Sequence, residues 1–348
     1  MNRTAPADAV RVVTAARRHG VRRARTVSLL LLAVVVVVFG ASLSVGDFAV
    51  PIPELLRILT GSGTGRGVYV VTELRLPRAV CGLLVGVAFG LAGALFQRLL
   101  RNPLASPDVV GVTSGASAAG VVCLVVFGAS GAIVSAGALA GGVATAAAIY
   151  LLAWRRGMNG YRLVLVGIGI AAVLSSVISF LMTWADVQLA QQALVWLTGN
   201  LNGRGWEHVG PLALGMAVLV PLALLLSRTL AALQLGDDSA RGIGVAVERG
   251  RLGLILIGVA LASLATAAAG PVAFVAFVSN PIATRLVGGS RPSLVPAALT
   301  GALVTLAGDF AAADLLGTTQ LPVGVVTGAV GAPYLLLLLA RANRAGRI

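Results

Sequence analysis

The side chains that most often perform chemistry in proteins are scarce in this sequence. It has two histidines, His19 and His208, and two cysteines, Cys81 and Cys123. Their spacing matches no metal-ligand pattern. Both cysteines lie in apolar segments, where a role as small buried hydrophobic residues is the simpler interpretation. We therefore expect that this chain binds no metal directly.

All 26 basic residues are arginines, and lysine is absent. A phosphate-binding loop of the G-x-x-x-x-G-K type needs its lysine, and so does a Schiff-base enzyme. Paired carboxylates and other convergent catalytic groups are also missing from the apolar segments. The sequence predicts a protein that is not an enzyme, does not hydrolyse ATP itself and binds no cofactor directly.

Polar residues inside apolar segments are the remaining candidates for a functional role, as the lining of a pathway. Four hydroxyl side chains are grouped in one segment with a spacing close to one helical turn: Ser175, Ser176, Ser179 and Thr183. They could instead form hydrogen bonds to their own helix. Asn280 and Asp309 also lie in apolar surroundings, where a polar group needs a partner, a cavity or an interface. All six are predicted candidates for a translocation pathway.

The segments that carry these residues are too apolar for a water-soluble fold. Hydrophobic residues make up 58% of the chain, charged residues 11%, and the mean hydropathy is +0.96, whereas soluble domains have about 25% charged residues. The apolar runs do not alternate as in an outer-membrane barrel. We predict an all-α polytopic membrane protein with about ten transmembrane helices. The predicted spans are 27–44, 77–100, 107–127, 131–153, 162–184, 208–227, 251–270, 271–288, 294–314 and 321–340. The eighth should be broken or kinked at Gly270-Pro271 and Asn280-Pro281.

The arginines predict the orientation of the chain. Placing the N-terminus in the cytoplasm leaves only a few arginines on the outer side: Arg57, Arg66, Arg75, Arg78 and Arg204. Both termini are then cytoplasmic. Residues 1–26 are predicted to be a basic cytoplasmic extension and residues 27–348 a single transmembrane domain. A cleaved signal peptide is disfavoured, because the first apolar run is long and no clean cleavage site follows. The positive charge is interpreted as a topology signal, and no nucleic-acid partner is expected.

Small residues recur at spacings that let helices pack closely in lipid. The predicted packing positions are Gly86, Gly90, Gly111, Gly115, Gly324 and Gly328. In "RNPLASPD" (101–108), we expect a cytoplasmic turn, with Pro107 in the first turn of the third span. Ser106 is predicted to cap that helix, and Asp108 to complement its dipole.

Four stretches together carry a family resemblance: Leu74–Gly120, Leu235–Val245, Gly270–Gly289 and Leu321–Leu339. In this order and spacing they closely resemble the permeases of ABC importers for ferric siderophores, haem and vitamin B12. The resemblance implies a type II importer permease fold in the cytoplasmic membrane, with transport by alternating access. A ferric siderophore is the expected substrate, and vitamin B12 or haem the alternative. An ion-coupled secondary transporter is much less favoured, because buried carboxylate or histidine relays are nearly absent.

The resemblance also implies partners. These are a second permease subunit, identical or related, two ABC ATPase subunits that carry ATP and Mg, an extracytoplasmic substrate-binding protein, a ferric chelate and membrane lipid. The implied ATPase-coupling loop contains Leu235, Gly236, Asp237, Asp238, Ala240, Arg241 and Gly244. From the residues alone, Asp237 and Asp238 are placed to cap a short helix that carries Arg241.

Arg75 and Arg78 are implied to meet acidic residues of the binding protein. Two positions depart from the family pattern. Ala313 stands where many relatives have a further arginine, with Asp314 beside it. Asn280-Pro281 replaces a proline followed by histidine or glutamine. The first departure implies that the docking face differs from that of relatives or that the partner permease completes it. The second implies that the kink of the eighth span has a different direction.

Overall fold

The computed structural model describes residues 5–154, 160–288, 294–315 and 320–344. Within these ranges the chain is helical and contains no β-strand. The helices are α1 (Ala5–Ser44), α2 (Ile52–Leu59), α3 (Arg66–Leu99), α4 (Val112–Val125), α5 (Ala132–Ala153), α6 (Gly160–Trp184), α7 (Val187–Leu197), α8 (Trp206–Leu225), α9 (Ser227–Leu233), α10 (Asp237–Gly242), α11 (Val247–Ala269), α12 (Val275–Val287), α13 (Leu294–Leu315) and α14 (Val323–Arg344). The predicted all-α fold is confirmed.

Among the described residues, seven helices are long and apolar enough to cross a membrane. The remaining predicted spans coincide with three shorter apolar helices: α4, α12 and the Val323–Leu338 part of α14. Each of the ten predicted spans therefore has a helix. The short helices α2, α7, α9 and α10 lie in the connections between them.

The third span begins later than predicted. Residues 107–111 form turns, and α4 starts at Val112 after Gly111, whose φ of 91° is left-handed. The Ser106 hydroxyl accepts a hydrogen bond from the Val109 amide at 3.2 Å, so it caps this turn and not the helix. The predicted helical positions of Pro107 and Asp108 are wrong, because glycine allows a left-handed residue that ends the turn just before the helix.

The predicted break before the eighth span is present. Helix α11 ends at Ala269, and Gly270 follows with a φ of 75°. Helix α12 starts after Phe274, which is also left-handed, with a φ of 64°. Pro281 lies inside α12. Both α4 and α12 are thus short helices that follow an irregular segment, and these two segments meet at a cavity described below.

Helix α3 is the centre of the fold, and glycines let its neighbours approach. A Cβ atom at Gly86 would lie 2.5 Å from the Gly301 carbonyl oxygen on α13, and one at Gly90 would lie 2.5 Å from that of Ala297. Gly93 faces the Ala276 carbonyl of α12 in the same way. The contacts are backbone to backbone, which is how small residues stabilise helix pairs in lipid.

Three side-chain hydrogen bonds tie connecting segments or helix ends to other helices. Arg23 of α1 donates to the Leu286 carbonyl at 3.2 Å, and Arg101 donates to the Leu233 carbonyl at 2.6 Å. Trp206 Nε1 donates to the Thr72 carbonyl at 3.0 Å. Helix α1 continues through the predicted boundary at residue 26. Five predicted cytoplasmic arginines lie outside the described residues: Arg3, Arg155, Arg156, Arg291 and Arg347.

Candidate coupling, translocation and docking sites

The predicted coupling loop folds as a short helical turn, α10, which lies next to the N-terminal end of α11. Gly236 precedes α10 with a φ of 108°, and Ala240 is buried beneath it. The Asp237 carboxylate accepts two hydrogen bonds from Arg251 Nη2, at 2.8 and 3.0 Å. The predicted capping by the two aspartates is wrong, since Asp237 is instead paired with α11 and neither side chain caps the helix. The ion pair fixes the orientation of α10 on the bundle.

Around this anchored turn, both apolar and charged side chains are exposed. Leu235 and Ile243 are 67% and 64% exposed. Arg241 Nη1 donates to Asp238 Oδ1 at 3.2 Å, and both side chains are largely exposed. Gly244 ends the segment with a φ of 83°. Exposed apolar residues flanking a charged pair on a rigid support are typical of a protein-docking surface.

A cavity of about 530 Å³ lies where the segments before α4 and α12 meet α6, α7 and α14. Its polar lining consists of Ser106, Asp108, Thr113, Ser114, Ser117 and Ser175. Phe274 and Phe277 provide aromatic surface. We call this space the hydroxyl cavity. Its position among five helices, beside the irregular segments that precede α4 and α12, suits it to a small molecule.

Of the predicted pathway hydroxyls on α6, Ser175 lines the hydroxyl cavity. Ser176 donates to the Ala172 carbonyl at 3.0 Å, and Thr183 donates to that of Phe180 at 2.7 Å, so both bond to their own helix. Ser179 is exposed on α6 outside the described lining. The hydroxyls of α4 at Thr113, Ser114 and Ser117 are lining residues that the sequence did not predict. Their spacing is a signal for a polar face, but the glycines of the same segment favour an interpretation as a packing face.

Asp108 carries the charge at the edge of this cavity. Its Oδ1 accepts a hydrogen bond from the Thr113 hydroxyl, which fixes the carboxylate beside the start of α4. The hydrogen bond thus fixes the position of the Asp108 carboxyl group at the edge of the cavity.

Asn280 does not line this cavity; it joins α12 to α3. Its Nδ2 donates to Gln97 Oε1 at 2.8 Å, and its Oδ1 accepts from Arg98 Nε at 3.2 Å. Gln97 Nε2 donates in turn to the Phe277 carbonyl at 2.9 Å. Gln97, Arg98 and Asn280 are all buried. The residue that departs from the family pattern is therefore part of a satisfied polar cluster between two helices.

Replacing Asn280 by alanine is expected to lower the stability of the folded chain by about 1–3 kcal/mol, because Gln97 and Arg98 each lose a buried partner. Thr284→Ala is the matched control, since its hydroxyl reaches Asn280 Oδ1 only at 3.4 Å and is half-buried. Thermal unfolding of the purified variants measures both effects. Equal melting temperatures for the two variants would show that the cluster does not stabilise the α3–α12 contact.

A second cavity of about 500 Å³ lies at the end of the bundle that the arginines predict to face outward. It is lined by seven charged residues: Asp47, Glu73, Arg75, Arg78, Arg204, Asp309 and Asp314. Arg78 forms a two-pronged ion pair with Asp309, at 2.8 and 2.9 Å, and also donates to Gln320 at 3.3 Å. Arg75 donates to the Leu43 carbonyl at 3.0 Å. We call this space the outer charged cavity.

Asp309 is therefore placed in the outer charged cavity and not in the hydroxyl cavity. Its side chain is 9% exposed and that of Arg78 is 16% exposed. π-Helical turns at Val70–Arg75 and Ala311–Leu315 flank the cavity, on α3 and α13. Such turns often occur at functional sites. Ala313, the position that lacks the family's arginine, lines the same cavity.

The six predicted packing glycines have different surroundings. Gly86 and Gly90 face α13, while Gly115 contacts Thr145 and Gly141 of α5. The backbones of Gly111 and Gly167 also approach closely, as do those of Gly324 and Thr198. A Cβ atom at Gly328 would meet nothing within 4 Å. Within the described ranges, no group of three or more histidine, cysteine or acidic residues could hold a metal ion.

Comparisons with known proteins cover nearly the whole chain. The sequence model of the FecCD transport family matches residues 29–341. The ferric enterobactin transport system permease protein of Escherichia coli (strain K12) is 41% identical over 93% of this chain and 98% of its own. The iron(3+)-hydroxamate import system permease protein of Bacillus subtilis (strain 168) is 36% identical, over 89% of this chain and 95% of its own. A solved structure described as an inward-facing metal-chelate type ABC transporter has a TM-score of 0.81 at 25% identity. It covers 91% of this chain and 99% of that one.

Proposed function

This chain belongs to the FecCD transport family and is thus a transport permease and not an enzyme, and we propose that it is the transmembrane subunit of an ABC importer for a ferric siderophore. The observation that carries the proposal is a family match from residue 29 to residue 341, together with relatives named for ferric chelates. Its location is then the cytoplasmic membrane, with both termini in the cytoplasm. Residues 1–26 form a basic cytoplasmic extension, and the rest forms one transmembrane domain.

The energy for transport comes from two ABC ATPase subunits that bind ATP and Mg. Their contact on this chain is the segment Leu235–Gly244. Its exposed apolar side chains and its ion pair to Arg251 support this role, because a force applied to α10 reaches α11 directly through Asp237. Closure of the ATPases would tilt the glycine-packed helices and open the pathway alternately to each side.

A second permease subunit, identical or related, pairs with this one. Helix α6 supports this, since only Leu163 and Gly167 of its 25 residues are buried within the described chain. A long apolar helix with so little intramolecular contact is available to a partner helix or to lipid. The hydroxyl cavity opens beside α6 at Ser175 and would form part of the translocation pathway.

On the outer side, an extracytoplasmic binding protein docks at the outer charged cavity and delivers the chelate. Arg75 and Arg78 are the residues proposed to meet its acidic side chains. Asp309 holds the Arg78 guanidinium in a defined orientation beside the cavity. The absence of an arginine at Ala313 makes Arg75 and Arg78 more important for docking on this chain.

Reconstitution tests the whole proposal. The permease, its partner permease, the ATPases and the binding protein are assembled in liposomes, and uptake of iron-labelled ferric chelates is measured with and without ATP. We expect accumulation that requires ATP and the binding protein. ATP-dependent uptake of vitamin B12 or haem but not of ferric siderophores would favour the alternative cargo. Uptake driven by a proton gradient without the ATPases would disprove the importer.

The variant Arg241→Glu is expected to lower the amount of chelate transported per ATP hydrolysed by about tenfold, because one exposed arginine at a docking centre often contributes that much. It also places a carboxylate beside Asp238. The control is Arg249→Glu, an exposed arginine at the same end of the bundle but outside the coupling segment. ATPase activity and uptake are measured in parallel. If both variants keep the normal ratio, Leu235–Gly244 does not couple the subunits.

A further inference from the structure

One exposed face of helix α1 changes from arginines to apolar side chains along its length. Arg18, Arg22 and Arg25 follow one another at intervals of four and three residues, so they lie on the same side of the helix. All three side chains are exposed. The same spacing continues to Leu29 and Val36, which are 60% and 61% exposed. We call the side of α1 that carries these five residues the arginine face.

The rest of the bundle packs against a different side of α1. Val35 is buried there and forms a cluster with Ala302 and Leu306 of α13. Arg23, which does not lie on the arginine face, donates to the Leu286 carbonyl at the end of α12. The arginine face is therefore turned away from the described helices. Because its apolar part lies in a predicted span, that part faces lipid.

The depth of the arginines in the membrane follows from the length of α1. From Thr26 to Ser44 the helix has no charged residue, and this part is roughly 28 Å long. The hydrocarbon core of a bilayer is about 30 Å thick, and the headgroup layer on each side adds about 5–8 Å. Arg25 then lies at the border of the core, and Arg22 lies about 5 Å farther, within the headgroup layer. Arg18 lies about 11 Å beyond Arg25 and outside this layer.

The arginine face has no counter-charge on its own helix. The sequence contains no acidic residue between Asp8 and Asp47. None of the three arginines forms an ion pair within the described part of the chain. Like charges one helical turn apart repel each other, so an external anion would stabilise this end of α1. Arginines on any side of the helix would serve as a topology signal, whereas lipid phosphates are reached only from the side that faces lipid.

We propose that the arginine face of α1 binds the headgroups of anionic phospholipids. Arg22 and Arg25 lie at the depth of the phosphates, and a guanidinium group can donate two hydrogen bonds to one phosphate. Arg18 contributes only a weaker attraction over a distance close to the screening length. This inference goes beyond the proposed function, because it concerns the surrounding lipid and does not depend on the cargo.

The test compares two lipid probes that have the same photoactivatable acyl chain, phosphatidylglycerol, which is negatively charged, and phosphatidylcholine, which has no net charge. The full-length permease is placed in vesicles that contain equal amounts of both lipids, alone and together with its ATPases. After illumination, the amount of each lipid attached to α1 is measured by mass spectrometry. The measured quantity is the ratio of attached phosphatidylglycerol to attached phosphatidylcholine.

We expect Arg22→Gln and Arg25→Gln each to lower this ratio by about fivefold, the contribution of one arginine at an anionic membrane surface. Arg18→Gln should lower it by less than about twofold, because its charge is largely screened. Arg57→Gln is the matched control, since Arg57 is exposed on α2 and predicted to lie on the outer side. It should leave the ratio at α1 unchanged.

The double variant Arg22→Lys/Arg25→Lys keeps both charges and should retain most of the preference for phosphatidylglycerol. Equal labelling by the two lipids in the wild type would overturn the inference. So would a preference that persists in Arg22→Gln/Arg25→Gln, because the lipid would then be recognised elsewhere. A preference that disappears when the ATPases bind would assign the arginine face to a protein partner and would also overturn it. A failure of ATP-dependent uptake by the assembled complex would overturn the proposed function and leave the labelling ratio as it is.

Discussion

Replacing Gly86 by alanine is expected to destabilise the folded permease by about 1–3 kcal/mol, the usual cost of inserting a methyl group into closely packed structure. The new Cβ would lie 2.5 Å from the Gly301 carbonyl oxygen and 2.7 Å from the Ala302 Cα atom. Both neighbours are backbone atoms, so the strain can be relieved only by separating α3 from α13. Leucine at this position should prevent accumulation of folded protein altogether.

Gly328→Ala provides the matched control, because a Cβ atom there meets nothing within 4 Å. Alanine also has the better helix propensity, worth up to about 1 kcal/mol. The two glycine-to-alanine changes should therefore shift the melting temperature in opposite directions. Thermal unfolding of the purified proteins in detergent measures both. A melting temperature for Gly86→Ala at or above the wild-type value would show that α3 and α13 do not need this close approach.

These glycines also show which features of helix packing can be predicted from the spacing of small residues. The spacing of Gly86, Gly90 and Gly328 is the same kind of pattern, and it predicts helix packing for each of them. The structure brings the first two against backbone atoms of α13 and leaves the third without a neighbour within 4 Å. A spacing identifies the helix face on which small residues lie. The partner that reaches that face depends on tertiary arrangement, which local pattern does not contain.

The spans themselves were predictable because apolar length and arginine placement report directly on the membrane. The start of α4 was not predictable, because Ser106, Pro107 and Asp108 suit a turn and a helix cap equally well. The deciding residue was Gly111, whose left-handed conformation ends the turn. Only part of the lining of the hydroxyl cavity was predictable from the sequence. The lining comes from several helices, and the contribution of α4 depends on where that helix begins.

The polar residues inside the spans illustrate the same limit. Asn280 and Asp309 were both predicted pathway candidates because an unpaired polar group is unfavourable in lipid. Each forms a side-chain hydrogen bond with a residue of α3. Asn280 pairs with Gln97, and Asp309 pairs with Arg78. The residue types predict that each of these groups needs a partner. They do not predict which residue the partner is, because the paired residues are separated by 183 and 231 positions in the chain.

Replacing Asp309 by alanine is expected to lower the free energy of unfolding by about 3–5 kcal/mol, more than the other polar substitutions considered. A loss of this size is typical when one member of a buried ion pair is removed. The Arg78 guanidinium would lose both strong hydrogen bonds while its side chain stays only 16% exposed. Glu73→Ala is the control, because Glu73 is an exposed carboxylate on the same cavity rim. Its removal should change the melting temperature little.

The double variant Arg78→Leu/Asp309→Leu separates the stability of the pair from its role in docking. Replacing both charges by apolar side chains removes the buried unpaired guanidinium, and for many ion pairs it restores most of the lost stability. If Arg78 also meets an acidic residue of the binding protein, the double variant should fold but bind that protein more weakly than wild type. Affinity is measured with the permease complex immobilised in lipid discs. A double variant that binds normally would limit Arg78 and Asp309 to joining α3 to α13, and would leave Arg75 as the docking arginine of this chain.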